Sequence, residues 1–279
     1  MMESKTIFFK EMPLFQRASF QTPFSMQGEL KEFACFFYVT QGSMHSYDAR
    51  GSFVTQPKNA ILKNCGRYIQ EFRSEEKDAI CEAIAVYLYP ALLKEIYKKE
   101  IPSFLTYEES PQPKKLIGNK LIEQYMHNLS IYFEEPEAFD EELGILKLKE
   151  LMLILLKSEN HVGIRQFLSE TFTPVNIELK KAIENNLYNN LSIDQLAYIC
   201  NMSVSTFKRE FKKTFNDTPA RYIKHRRLLA AEKRLLTTQD SITDIAFSLG
   251  FVDISTFSAN FQEKFSLSPT KYRLTQKTD

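Results

Sequence analysis

The chain has 279 residues, 43% of them hydrophobic, with 36 Lys and Arg balanced by 35 Asp and Glu for a formal net charge of +1. That length divides more readily into two domains than one, and the composition supplies a sizeable core. No apolar run reaches the roughly 18 to 20 residues of a membrane span, and the longest candidate, Leu151 to Leu156, is flanked by Lys149, Glu150 and Lys157.

The opening stretch MMESKTIFFKEMPLF lacks the basic region, apolar segment and small-residue cleavage site of a secretory leader, so a cytoplasmic protein without a membrane partner is expected. Cys35, Cys65, Cys81 and Cys200 form no C-x-x-C pair, the pattern of free thiols in a reducing compartment. His45, His127, His161 and His225 are too scattered to write an H-x-H or H-E-x-x-H site. No metal and no cofactor is expected.

Residues 5–90 are rich in short β-type runs, namely 33–42, 51–64, 68–72 and 83–89, with turn signals at Gly42, Gly51, Pro57-Lys58-Asn59 and Gly66. Strands this short and close predict a small barrel or jelly roll. Phe33, Phe36, Tyr38, Phe53, Tyr68, Phe72 and Tyr87 are the expected filling of its interior. A packed core and an effector pocket are equally compatible with that list, and the effector-binding residues are unknown.

From 91 to 170 the period becomes helical: ALLKEIYKK, then 114–133, then 140–158. The last segment starts acidic and ends basic, as the helix macrodipole favours. Its apolar residues wrap most of the circumference, so it is either internal or half offered to a partner; the width favours a dimerisation helix and a homodimer. The FTPVN stretch at 172–176 is the expected boundary. It divides a first domain, 1–172, from a second, 173–279.

Beyond that boundary, helix signals follow in close order. Ser192 and Gln195 form a capping box, Asn201 suits a left-handed helix end, and Ser203 can cap the next helix. Short helix, tight turn and second helix make a helix-turn-helix unit over 192–215. In SVSTFKREFKKTF, Phe207, Phe211 and Phe215 share one face with Val204 and Thr214. Ser205, Thr206, Arg209, Lys212 and Lys213 share the other, where arginine can pair bidentately with guanine. Thr218 as N-cap and Pro219 at the first position then open a helix of 18 residues, roughly 27 Å long. A second unit, 241–265, repeats the first at an offset of 50: Ser205/Ser255, Thr206/Thr256, Phe207/Phe257, Phe211/Phe261, Phe215/Phe265, Pro219/Pro269 and Tyr222/Tyr272.

Charge follows this division. From Pro174 onward there are 16 basic and 11 acidic residues, leaving 20 against 24 before it, and Ser203 to Arg234 alone holds 10 basic and 3 acidic residues. Such a segment seeks an anionic partner, of which nucleic acid is the commonest.

The second unit, IAFSLGFVDISTFSANFQEKFSLSPTKYR, resembles the signature of AraC/XylS-type transcription regulators. Ala246, Gly250, Phe251, Asp253, Ser255, Phe257, Phe261, Phe265, Pro269, Tyr272 and Arg273 carry the likeness. With the first unit it covers just over a third of the chain. The resemblance implies a seven-helix module that binds double-stranded promoter DNA and commonly activates transcription by touching RNA polymerase. It also implies a cupin-like regulatory domain followed by dimerisation helices, controlled by a small-molecule effector or a regulatory protein. The fold expected is therefore α+β: a small β-barrel with dimerisation helices, then an all-α double helix-turn-helix domain.

Expected DNA-binding residues are Ser205, Thr206, Lys208, Arg209, Lys212, Lys213, Arg221, Ser255, Thr256, Gln262, Lys271 and Arg273. The second recognition helix departs from the family at Ala259, where a basic residue is common, so its phosphate contacts fall to neighbours such as Lys264, Lys271 and Arg273. Asn216 and Ser266 replace the usual turn glycine. The rival reading, an enzyme using Glu134-Glu135 or Asp140-Glu141-Glu142, lacks every accompanying motif, because adjacent carboxylates at a helix start usually stay solvated. No catalytic residue is expected. The same module acting as a repressor is the alternative to an activator.

Overall fold

The structure, a computed structural model, describes residues 2–31, 33–76, 78–96, 115–116, 120–157 and 178–275. The chain forms two compact units, one of residues 1–47 and 53–176, the other of 48–52 and 177–279. The expected boundary at 172–176 and the stretch HVGIRQFLSE before it lie outside the described residues.

Strands β1 (Met2–Phe9), β2 (Met12–Gln21), β3 (Phe24–Leu30), β4 (Ala34–Gln41), β5 (Ser43–Asp48), β6 (Gly51–Thr55), β7 (Ala60–Lys63), β8 (Gly66–Arg73), β9 (Ile80–Leu88) and β10 (Lys115–Leu116) build the first unit. They form a six-stranded sheet, β1-β2-β9-β4-β7-β10, and a four-stranded sheet, β3-β8-β5-β6. Register fixes which side chains meet between them: β2 runs antiparallel to β9 with Phe20 opposite Cys81, and β3 to β8 with Phe24 opposite Phe72.

The space between the sheets is filled by Phe20, Val39, Met44, Ile61, Phe72, Cys81 and Ala83. Phe20 and Phe72 stack at 3.8 Å between centroids. Because strand side chains alternate, Cys35, Phe37 and Val39 of β4 point into this layer, whereas Phe36 and Tyr38 point to the opposite face. The expected interior set is therefore corrected: Phe36 and Tyr38 face the helices, and Phe37 stands inside in their place.

Helices α1 (Pro90–Ile96), α2 (Lys120–Ile131) and α3 (Glu141–Leu156) cover that opposite face. The helical pattern expected from 114 is corrected at its start, where Lys115 and Leu116 extend the sheet beside Ile61 and Ala60; among the described residues the helix runs from Lys120. Asp140 caps α3, accepting from Leu143 N at 2.8 Å. Tyr125, fully buried on α2, donates to the Lys147 carbonyl of α3 at 2.9 Å, which pins the pair. Gly144 lets α3 close on the sheet, because a Cβ there would sit 3.2 Å from Leu14.

Glu134 is exposed, as expected of a solvated carboxylate, and also takes ion pairs from both Lys5 and Arg17. It ties the α2-to-α3 turn to the first two strands, and these cations hold its carboxyl below the usual range.

The second unit is all helical, with α4 (Leu179–Asn185), α5 (Ile193–Ile199), α6 (Val204–Phe215), α7 (Pro219–Thr237), α8 (Ile242–Ser248), α9 (Ile254–Phe265) and α10 (Pro269–Thr275), seven helices among the described residues. No helix among the described residues is long and apolar enough to cross a membrane.

On α3, Leu148, Leu151, Met152 and Leu155 are buried while Leu146 and Leu153 remain 54% and 52% exposed. Leu148→Ala should therefore cost about 2–5 kcal/mol of unfolding free energy, and Leu146→Ala no more than about 0.5 kcal/mol. Urea denaturation of the two variants measures both; equal losses would show that the outer face also belongs to the core.

Candidate nucleic-acid interface

The first helix-turn-helix unit is assembled by its caps. Gln195 N donates to Ser192 Oγ at 3.2 Å and Ser192 N to Gln195 Oε1 at 2.8 Å, closing the capping box on α5. Asn201 turns the chain at φ 58°, and Ser203 then caps α6 by accepting from Thr206 N at 3.2 Å.

Inside, Phe207 and Phe211 are wholly buried. Phe215 packs on Phe211 at 4.5 Å, and Tyr222 of α7 covers both at 5.6 Å and 4.5 Å. Thr214, expected on this inner face, is exposed. The cap expected from Thr218 is also different: its side chain makes no capping bond, and its backbone N–H donates to Asp217 Oδ1 at 2.7 Å.

The second unit reproduces the aromatic arrangement, with Phe257 and Phe261 buried, Phe265 on Phe261 at 4.4 Å and Tyr272 on both at 5.5 Å. The offset of 50 holds for α6 and α9 but is 49 for α5 and α8, so the second turn is one residue longer. That turn contains Phe251, which packs edge-on against Phe257 at 5.0 Å. Asp253, rather than a serine, caps α9, accepting from Thr256 N at 2.7 Å and from the Thr256 hydroxyl at 2.8 Å. These bonds hold the Asp253 carboxyl below its usual range.

The long helix α7, 19 residues, joins the two units. Adjacent arginines on it diverge. Arg226 makes a forked ion pair with Glu184 of α4, at 2.7 Å and 2.9 Å, and donates also to the Tyr222 hydroxyl. Arg227 donates to three backbone carbonyls, Leu187 at 2.8 Å, Asn189 at 2.7 Å and Gly250 at 2.7 Å. Burial lowers its pKa from the usual arginine value. Both arginines belong to the basic run counted between Ser203 and Arg234, but their hydrogen bonds are made to other parts of the same unit, and no local sequence signal distinguishes them from their exposed neighbours.

The expected contact residues separate into three groups. Ser205, Lys208, Arg209, Lys212 and Lys213 stand together, exposed, on the outer side of α6, with Thr206 half-buried at its start. Arg209 is 73% exposed, 3.3 Å from Glu210. Ser255, Thr256 and Gln262 are exposed on α9, although the Thr256 hydroxyl is engaged by the cap. The remainder lie on flanking helices. Arg221 pairs with Asp217 at 3.0 Å, Lys271 is exposed, and Arg273 is half-buried, donating through Nε to the Leu235 carbonyl at 3.3 Å. Arg273 thus helps hold α10 against the end of α7.

Residues 186–275 match the helix-turn-helix domain family, and residues 34–167 match the family described as the ExsA N-terminal regulatory domain. The chain is 28% identical over 168 residues to the virulence regulon transcriptional activator VirF of Yersinia enterocolitica, covering 60% of this chain and 62% of the relative. It is 34% identical over 155 residues to the HTH-type transcriptional activator RhaS of Enterobacter sp., covering 56% and 55%. It is 22% identical over 246 residues to the HTH-type transcriptional regulator ExsA of Pseudomonas aeruginosa, covering 85% and 84%. The match thus spans about three fifths of the length of the VirF relative.

Both recognition helices end on left-handed residues, Asn216 at φ 53° and Ser266 at φ 63°. Asparagine tolerates that state; serine pays more strain. Ser266→Gly should raise unfolding stability by about 0.5–1 kcal/mol, and Asn216→Gly by less. Thermal denaturation of the two variants tests the order, and a destabilised Ser266→Gly variant would contradict it.

Proposed function

We infer that this chain, which belongs to the AraC/XylS family of transcription regulators, binds double-stranded promoter DNA through α6 and α9 and activates transcription there. One observation carries the reading. Two recognition helices of the same internal design are mounted on a single connecting helix, each with its aromatics inward and its polar face outward. At 1.5 Å per residue α7 is about 28 Å long, a spacing suited to major-groove faces roughly one turn apart.

Within that reading Arg209 is the base reader, supported by its exposure at the centre of the outward face. Lys208, Lys212, Lys213, Arg221 and Lys271 serve phosphates, Ser255, Thr256 and Gln262 meet base edges, and Arg273, held by the Leu235 carbonyl, acts through the placement of α10. Activation is supported by the names of the relatives, several of which are transcriptional activators; contact with RNA polymerase is the means that the family resemblance implies. The alternative is repression by the same module, or control by a protein partner rather than a small molecule. Reporter transcription with and without the protein separates activator from repressor.

Arg209→Ala should weaken binding to the cognate promoter by about 1–3 kcal/mol and relax preference at one base position. Competition binding against operators altered one base pair at a time reads both effects. An equal loss on specific and random DNA would reduce Arg209 to a phosphate contact.

The exposed Leu146 and Leu153, seven residues apart on α3, support a homodimer built on this helix. The full chain should sediment as a dimer, Leu146→Glu with Leu153→Glu should dissociate it, and residues 175–279 alone should be monomeric and still bind DNA. A full-length monomer at micromolar concentration would remove this assignment.

A further inference from the structure

The 50-residue offset sets Lys208, Arg209, Lys212 and Lys213 of α6 opposite Ser258, Ala259, Gln262 and Glu263 of α9. Four cations on the first recognition helix thus correspond to three uncharged residues and a carboxylate on the second. With Phe257 and Phe261 turned inward, a helix at 100° per residue puts Ala259 and Glu263 near the middle of the outward face. Glu263 is 72% exposed there.

A cation does reach this face, but from another helix. Lys224 of α7 places its Nζ 3.6 Å from Glu263 Oε2 and 3.4 Å from Asn260 Oδ1. The Asn260 amide nitrogen donates to the Thr256 carbonyl at 2.8 Å, which leaves its oxygen for the lysine. Two side chains of the second recognition helix therefore hold the ammonium group that the connecting helix brings beside it.

Such an exposed pair contributes little to stability, about 0–1 kcal/mol. Its effect on an approaching polyanion is of a different kind. Each cation that neutralises a phosphate adds roughly 0.9 to the slope of log K against log salt, and a lysine engaged by a carboxylate is withdrawn from that count. The carboxylate also repels phosphates itself.

We propose that Glu263 is a specificity-determining residue: by engaging Lys224 it suppresses phosphate-driven, sequence-indifferent binding by the second unit. A duplex is then retained only where its bases satisfy Ser255, Thr256 and Gln262. The inference rests on the DNA-binding reading above and assigns a role that reading leaves open.

The test uses the full chain, as wild type and as Glu263→Gln, Lys224→Ala and the double variant. The probes are a random-sequence duplex and a duplex enriched by in vitro selection on the wild-type protein, each titrated across a salt series. Glu263→Gln should bind the random duplex more tightly, steepen the slope by roughly one unit and narrow the ratio of selected to random affinity. In the Lys224→Ala background most of that steepening should vanish. Matching thermal denaturation would show that the fold is intact. The inference is overturned if Glu263→Gln leaves slope and ratio unchanged, or if it steepens the slope equally without Lys224. Failure of the wild-type chain to bind either duplex would sink the DNA-binding reading itself, and this inference with it.

Discussion

The helical unit depends on one guanidinium. Arg227 spends its donors on the carbonyls of Leu187, Asn189 and Gly250. The first two follow α4 and precede the first helix-turn-helix, and the third lies in the turn of the second. A charged donor shared among neutral carbonyls needs no carboxylate partner, because hydrogen bonds to an ionised group are the stronger kind. The three carbonyls are met by three separate nitrogens of the planar fork, Nε, Nη1 and Nη2, a spread that the single ammonium nitrogen of lysine does not offer. The contact also explains Gly250. Its φ is 80°, and a Cβ there would lie 2.4 Å from the Tyr188 carbonyl and 3.0 Å from the Arg227 guanidinium carbon. Close approach of the second turn to the 187–189 loop therefore requires both residues together.

With that joint fixed, the two recognition helices are held by more than the stiffness of α7. Arg226 fastens α4 to α7 through Glu184, and Tyr272 does the corresponding work at the far end by donating to Glu232. Each unit then presents its outer face from a platform of tilted and edge-on aromatics, Phe211, Phe215 and Tyr222 in one, Phe261, Phe265 and Tyr272 in the other. The inner faces are nearly interchangeable, and the outer faces are not.

Local chemistry was the legible part of the sequence. Capping boxes, left-handed turn residues and aromatics spaced by four are decided within a few positions, and Ser192, Asn201, Ser203 and Phe207 stand where that reasoning puts them. What was not legible depends on distant partners. Phe36 and Phe37 are neighbours of the same type, and only the sheet register decides which faces the other sheet and which the helices. Strands β1 to β3 escaped notice individually: β2 buries the adjacent Leu14 and Phe15, which breaks the alternation of a strand, and β3 alternates but carries Gly28 among its less exposed positions. Glu134 looked like any surface acid, since Lys5 and Arg17, which claim it, lie more than a hundred residues away.

The same lesson bears on electrostatics, where counting charge along the chain overstates what faces outward. Of the 10 basic residues between Ser203 and Arg234, Arg226 and Arg227 are turned inward and Arg234 donates to Ser248. Arg221 is paired with Asp217, and Lys224 with Glu263. Lys233 is exposed on the connector, and Lys208, Arg209, Lys212 and Lys213 are exposed together on α6, with Arg209 3.3 Å from Glu210. Positive field on the outward face is therefore concentrated over about two turns of α6 more than along the connector. On the proposed reading, a polyanion meeting this unit would be drawn first to α6, and the contribution of α9 would follow from shape and hydrogen bonding once α6 had fixed the register.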